Sequence, residues 1–224
     1  MEPLNPPELV QTGPEWFEAG LTYRVQMPDD QGPYPTVVMI HGRMGDEDVM
    51  WVFRKTIPRP WLVVAPRAPL PDGGAFSWHI QEPGNWPDLA AMQPAVSALR
   101  RFISALPGLY NADPDRIWLM GFSQGAALAI STAFTHPTLA RGLAALAGFA
   151  PPPPPAEVDG RLPDLPVFMA AGTEDDVVPI DKARAAAELL RLAGADLEYH
   201  EYRVGHKMTA AGMHDLRDWF TARR

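Results

Sequence analysis

The chain has 224 residues, long enough for one sizeable core, and its 46% apolar and 21% charged residues fit an ordinary globular protein, arguing against disorder or membrane embedding. A formal net charge of -8, with no lysine/arginine cluster beyond pairs such as Arg100-Arg101 and Arg223-Arg224, argues against a phosphate-backbone footprint, so no nucleic-acid partner is expected. The absence of cysteine excludes disulfides, thiolate-metal sites and a cysteine nucleophile.

The start, Met1-Glu2-Pro3-Leu4-Asn5-Pro6-Pro7, has neither the basic region nor the apolar core of a signal peptide. No apolar run approaches the roughly 20 residues that span a bilayer. A cytoplasmic location is therefore expected. Leu21 to Met27 alternates like a half-buried strand, and Thr36 to Ile40 is apolar throughout, as a strand covered on both faces should be. Trp61 to Ala65 repeats that type and ends at Pro66. Ala91, Met92, Ala95, Val96, Leu99, Phe102, Ile103 and Leu106 recur at three- and four-residue spacing and predict an amphipathic helix.

Asp113-Pro114-Asp115-Arg116 predicts a turn into the strand Ile117 to Met120, followed by a small-residue helix from Ala126 to Phe134. The apolar run Gly142 to Gly148 ends before five prolines, Pro151 to Pro155, which can neither continue a helix nor occupy a central strand. Val167 to Ala171 is the next strand. A helix is expected between Asp181 as N-cap and Gly194 as C-terminal stop, then a strand Leu197 to Tyr202 and a last helix from about Thr209 to Phe220. Strands alternating with helices imply an α/β fold with a mainly parallel central sheet and helices on both faces. No repeat or linker interrupts the chain, so a single domain over residues 1–224 is expected.

Gly121-Phe122-Ser123-Gln124-Gly125 fits the G-x-S-x-G nucleophile elbow, in which serine occupies a sharp strand-to-helix turn. The positions two before and two after the serine approach closely, so both must be glycine. A strand before and a helix after the motif supply the context it needs. A serine hydroxyl is a weak nucleophile at neutral pH and requires a base, itself oriented by a third group. In this fold the chain order is Ser, acid, His. His136, His200 and His214 read as structural or surface histidines, whereas His206 follows Gly205 in the turn between the last strand and the last helix. The acid is expected after Val167 to Ala171, where Glu174, Asp175 and Asp176 all qualify by spacing. One oxyanion donor is the N-H of Gln124; the second is expected in His41-Gly42-Arg43-Met44-Gly45-Asp46, with His41 more simply a buttress of that loop.

Three motifs, Ile40 to Asp46, Asp113 to Gly125 and Gly205-His206, together resemble the carboxylesterase/phospholipase family of small α/β-hydrolases, which includes bacterial carboxylesterases and acyl-protein thioesterases. The resemblance implies an α/β-hydrolase fold with little or no cap domain, no cofactor and no metal, and a small ester or thioester as substrate. It places Asp175 of Asp175-Asp176-Val177-Val178-Pro179 in the catalytic position and gives the first oxyanion N-H to the backbone of Arg43. A homodimer would follow family habit. Many relatives have leucine where Arg43 stands, and a guanidinium there either favours an anionic substrate or points to solvent.

The leading expectation is a serine carboxylesterase with the triad Ser123, Asp175 and His206 and the oxyanion donors Arg43 and Gln124. A thioesterase or lysophospholipase would use the same residues on a longer acyl chain. A non-catalytic binding protein on a hydrolase scaffold would have no need of all three triad positions.

Overall fold

The computed structural model describes residues 5–80, 82, 85–153 and 158–223. Ten strands are formed: β1 (Glu8–Val10), β2 (Tyr23–Gln26), β3 (Tyr34–Ile40), β4 (Leu62–Pro66), β5 (Leu70–Asp72), β6 (Ala75–Ser77), β7 (Ala112–Phe122), β8 (Gly142–Leu146), β9 (Pro166–Gly172) and β10 (Asp196–Tyr202). The helices are α1 (Gly13–Ala19), α2 (Leu89–Tyr110), α3 (Gln124–Thr135), α4 (Ile180–Leu192) and α5 (Ala210–Thr221), with a 3-10 helix over Val49–Thr56. Eight strands make one sheet in the order β1-β2-β4-β3-β7-β8-β9-β10, and β5 and β6 form a separate hairpin. β2 is antiparallel to both of its neighbours, and every other pairing in the large sheet is parallel.

Parallel strands need crossovers, and here the crossovers cover both faces, so β3, β4 and β8 are buried at every position. Alternation then assigns each side chain to a layer. Val38, Ile40 and Leu119 meet α2 and α3, while Val37, Met39, Trp118 and Met120 meet the 3-10 helix and α5. Residues 124–134 of α3 are all buried. Ala126, Ala127, Ala129 and Ala133 are small enough to let that helix fit between the sheet and α2.

Two local expectations change. The turn at Asp113 to Arg116 lies inside β7 as a bulge: Tyr34 pairs with Ala112 but Thr36 with Ile117, so the bulged strand carries the extra residues outward. Asp113 Oδ1 accepts from Asp115 N at 3.0 Å, which supplies the turn chemistry without ending the strand. Asp181 does not cap α4. Pro179 holds the N-cap position and Asp181 sits in the first turn, where its carboxylate still faces the positive end of the helix dipole. Gly194 adopts φ +85° just past the helix, and Thr209 Oγ1 caps α5 by accepting from Gly212 N. Pro151 to Pro153 form an irregular segment whose Pro152 carbonyl accepts from Leu89 N; Pro154 and Pro155 lie outside the described residues. Among the described residues no helix is long and apolar enough to cross a membrane.

Leu119 lies in the central strand β7 with no solvent exposure. Leu119→Ala removes packing on one face of the strand that carries the elbow and is expected to lower unfolding free energy by about 2–5 kcal/mol, read from urea denaturation midpoints.

Candidate active site

Ser123, Asp175 and His206 follow β7, β9 and β10, so all three stand at the carboxyl ends of parallel strands, where open α/β sheets bind their ligands. Ser123 has φ 54° and ψ -117°, a conformation that L residues rarely adopt. The turn closes because its flanking positions lack side chains. A Cβ on Gly121 would stand 2.2 Å from the Gly125 carbonyl oxygen, and one on Gly125 would stand 2.1 Å from the Ile40 carbonyl oxygen. Both contacts are with backbone, which cannot swing aside.

His206 Nδ1 lies 2.7 Å from Asp175 Oδ2, and the His206 ring rests 5.0 Å from that of Phe122. The other Asp175 oxygen, Oδ1, accepts from the N-H groups of Val177 and Val178 at 2.9 and 2.8 Å. A carboxylate oxygen only accepts, so Nδ1 carries the proton and Nε2 is left as the basic nitrogen. Asp176 is exposed, and Glu174 is exposed and paired with Arg203 at 2.7 Å. Ser123 and His206 line one groove, with Ser123 Oγ engaging no hydrogen-bond partner among the described residues. In unliganded sites such bonds are often long and tighten with substrate.

The other three histidines after Ser123 are elsewhere. His136 ends α3, His200 in β10 stacks on Tyr202 and meets Glu198, and exposed His214 faces Asp218. Burial, then the charges of Arg100 and Arg161, holds the His136 pKa below its ordinary value.

The loop after β3 passes directly beside Ser123, since a Cβ on Gly42 would lie 3.2 Å from Ser123 Cβ. His41 is fully buried. Its Nε2 accepts from Ala68 N at 2.9 Å, so Nδ1 carries the proton and donates to the Gly42 carbonyl at 2.7 Å. Burial pushes its pKa down, which keeps the ring neutral as this tautomer requires. Arg43 lines the same groove as Ser123, and its Nε donates to Asp72 Oδ2 at 3.0 Å. The Arg43 guanidinium and then the Ser77 hydroxyl hold the Asp72 carboxyl below the usual carboxylate range.

The groove holds about 460 Å³ and is walled by Met44, Val49, Met50, Val52, Phe53, Phe122, Met208 and Met213. The sequence reading does not reach this wall. Val49, Met50, Val52 and Phe53 carry a helical spacing that was the available signal, but eight residues of 3-10 helix are too short to stand out. The β5–β6 hairpin is likewise missed, because each strand has three residues.

Residues 22–223 match the sequence model described as phospholipase/carboxylesterase. The chain is 29% identical over 206 residues to acyl-protein thioesterase 1 of Candida albicans, covering 80% of this chain and 88% of that one. It is also 29% identical over 123 residues to a probable inactive carboxylesterase of Oryza sativa subsp. japonica, covering 54% and 48%. Its fold is similar to that of a Bacillus cereus carboxylesterase, with TM-score 0.84, 20% identity, and coverage of 93% of this chain and 97% of that one. A carboxylesterase from Mesorhizobium loti gives TM-score 0.82 at 21% identity, covering 96% and 98%.

His41 yields a prediction about stability. Its folded pKa lies below the ordinary value of 6.5, so the unfolded chain binds the extra proton; this contribution is complete above about pH 6.5 and is lost as pH falls below it. The melting temperature is expected to fall more steeply between pH 7 and pH 5 in the parent protein than in His41→Gln, measured by parallel thermal scans.

Proposed function

The chain belongs to the phospholipase/carboxylesterase family, and on that premise we propose that it is a serine carboxylesterase whose nucleophile, base and acid are Ser123, His206 and Asp175. The family supports ester hydrolysis in general; the residue roles and the substrate are this proposal's own. The observation that carries it is the 2.7 Å contact of His206 Nδ1 with Asp175 Oδ2, which leaves Nε2 as the ring nitrogen not engaged by the acid, on a residue that lines the same groove as Ser123.

In this reading Ser123 Oγ attacks the ester carbonyl carbon while its proton passes to His206 Nε2. Asp175 stabilises the resulting imidazolium and holds the ring's orientation. The oxyanion accepts hydrogen bonds from the backbone N-H groups of Gln124 and Arg43. Collapse of the tetrahedral intermediate breaks the bond to the alcohol oxygen, which takes the proton back from His206, and an acyl group remains on Ser123. Water, deprotonated by His206, then attacks the acyl-enzyme through the same geometry and releases the acid. The apolar groove is assigned to the acyl chain.

A thioester is the favoured second reading, on two observations: eight apolar side chains wall most of the groove, with Arg43 and Lys207 as its cationic members, and a relative that matches 80% of this chain is named an acyl-protein thioesterase. Thioester cleavage needs no change of residue roles, only a thiolate leaving group in place of an alkoxide.

Ser123→Ala is expected to abolish fluorophosphonate labelling and to reduce kcat by about 10⁶-fold; labelling that survives the substitution would sink the assignment of the nucleophile. The two neighbouring aspartates should separate sharply. Asp175→Asn is expected to lower kcat by about 10⁴-fold, whereas Asp176→Asn should leave it within about twofold, both read as single-site turnover of a p-nitrophenyl ester. Burial of each added acyl methylene in the groove contributes about 0.8 kcal/mol, so kcat/KM should rise about fourfold per methylene along an ester series until the groove is full. A parallel acyl-thioester series decides the leaving group.

A further inference from the structure

The two proposed oxyanion donors belong to different parts of the chain. The N-H of Gln124 belongs to the elbow, and that of Arg43 belongs to the loop after β3. A pair of donors stabilises an oxyanion only if both point at one position about 2.7–3.1 Å away. Pairing of β3 with β7 brings the two segments side by side, with Ile40 opposite Gly121, but that pairing ends before Arg43.

The side chain of Gln124 closes the gap. Its Oε1 accepts from Trp78 N at 2.8 Å and from His79 N at 3.3 Å, and its Nε2 donates to the His79 carbonyl at 2.7 Å. Trp78 is fully buried and donates from Nε1 to the carbonyl of His41 at 2.9 Å, with its ring 5.4 Å from the His41 ring. His41 in turn holds the Gly42 carbonyl. A continuous circuit therefore leaves the elbow through the Gln124 amide, passes along residues 78 and 79, returns through the Trp78 indole to residue 41, and ends at the peptide preceding Arg43.

We infer that Trp78 and the Gln124 side chain are positioning residues that set the spacing of the two oxyanion donors. The inference rests on the reading of Ser123 as nucleophile given above. The observation that separates this role from filling a core is directional. Gln124 is 2% exposed, and every hydrogen bond of its amide goes to the backbone of a single two-residue segment. The indole N-H of that segment points at the residue that opens the oxyanion loop. Two other tryptophans, Trp61 and Trp219, bury their N-H with no partner among the described residues, so burial of a tryptophan in this protein does not itself demand such a bond.

Trp78→Phe keeps an aromatic ring and removes the indole N-H together with its five-membered ring; Gln124→Met keeps the length of the side chain and removes all three hydrogen bonds of the amide. For each variant, sites reactive to fluorophosphonate are counted, so that turnover refers to folded molecules alone. Either substitution is expected to lower kcat per reactive site by about 10- to 100-fold with KM changed less than about threefold, in keeping with the cost of a misplacement near 1 Å. Inhibition by a trifluoromethyl ketone, whose adduct places an oxyanion on these donors, should weaken in proportion to kcat/KM. The double variant should lose little more than the worse single one, because both break the same circuit. A kcat per reactive site within twofold of the parent in both variants, a change in KM alone, or losses that multiply in the double variant would overturn the inference. Ser123→Ala, assayed per mole of folded protein because it has no reactive site to count, keeps the two readings apart: activity surviving there defeats the nucleophile, whereas an inactive Ser123→Ala beside unaffected Trp78 and Gln124 variants defeats only the circuit.

Discussion

The backbone at Ser123 is the constraint from which the rest of the site follows. A residue other than glycine at φ 54° and ψ -117° costs on the order of 1–3 kcal/mol, and such a conformation persists only where the surroundings over-determine it. Here Ser123 N donates to the Leu146 carbonyl at 2.9 Å, and the Ser123 carbonyl accepts from Ala126 N and Ala127 N at 3.0 and 3.2 Å. The strained residue is thereby held by β8 on one side and by the first turn of α3 on the other. Because Gly125 packs against the carbonyl of Ile40, the strand next to β7 must be β3, which feeds the loop proposed to hold the second oxyanion donor. The order β3-β7-β8-β9-β10 then sets the acid and histidine loops progressively farther along the same sheet edge.

Legibility in the sequence followed the length and burial of each element. β3, β8, β9 and the stretch of β7 from Ile117 onward are apolar on both faces, which gives uninterrupted runs such as Thr36 to Ile40, and α2 shows a clear period through Leu106 because one side packs on the sheet. The elements that escaped are short and owe their form to tertiary contacts. The β5–β6 hairpin is held by Gly45, which exchanges two backbone hydrogen bonds with Phe76, and by Ser77, which accepts from Met44 N at 3.0 Å. Neither contact leaves a local trace. The bulge at 113–116 escaped for another reason: an Asx turn looks the same in sequence whether it ends a strand or deforms one.

The candidate site shows the same division. Ser123 and His206 stand out because a steric requirement surrounds the first, and the turn between the last strand and the last helix singles out the second among the histidines that chain order allows. The choice among Glu174, Asp175 and Asp176 could not come from spacing, since it depends on which carboxylate the loop turns inward. Asp175 Oδ1 takes the N-H groups of Val177 and Val178, and only that grip aims Oδ2 at His206. Arg43 is a further case. Its guanidinium beside a nucleophile reads in sequence as a possible anion receptor, yet Asp72, from the unforeseen hairpin, accepts its Nε hydrogen bond.

A consequence concerns where specificity resides. The proposed reacting groups sit on turns fixed by the large sheet, whereas the groove assigned to the acyl chain is walled by the 3-10 helix and by the segment around Met208 and Met213. Four methionines, Met44, Met50, Met208 and Met213, line that groove. Their unbranched thioethers change shape at low cost, so the wall adapts to the chain it receives instead of selecting one outline. Met44 is also half exposed, and it occupies the same loop that offers the Arg43 N-H. Tolerance in the wall and rigidity in the oxyanion loop therefore meet within adjacent residues. The hydrogen bonds that Met44 N and Gly45 N donate to the hairpin keep that backbone fixed, while the Met44 side chain, half exposed, reaches over Gly73. In the proposed mechanism such an arrangement lets the acyl group vary in shape without moving the backbone N-H groups assigned to the oxyanion.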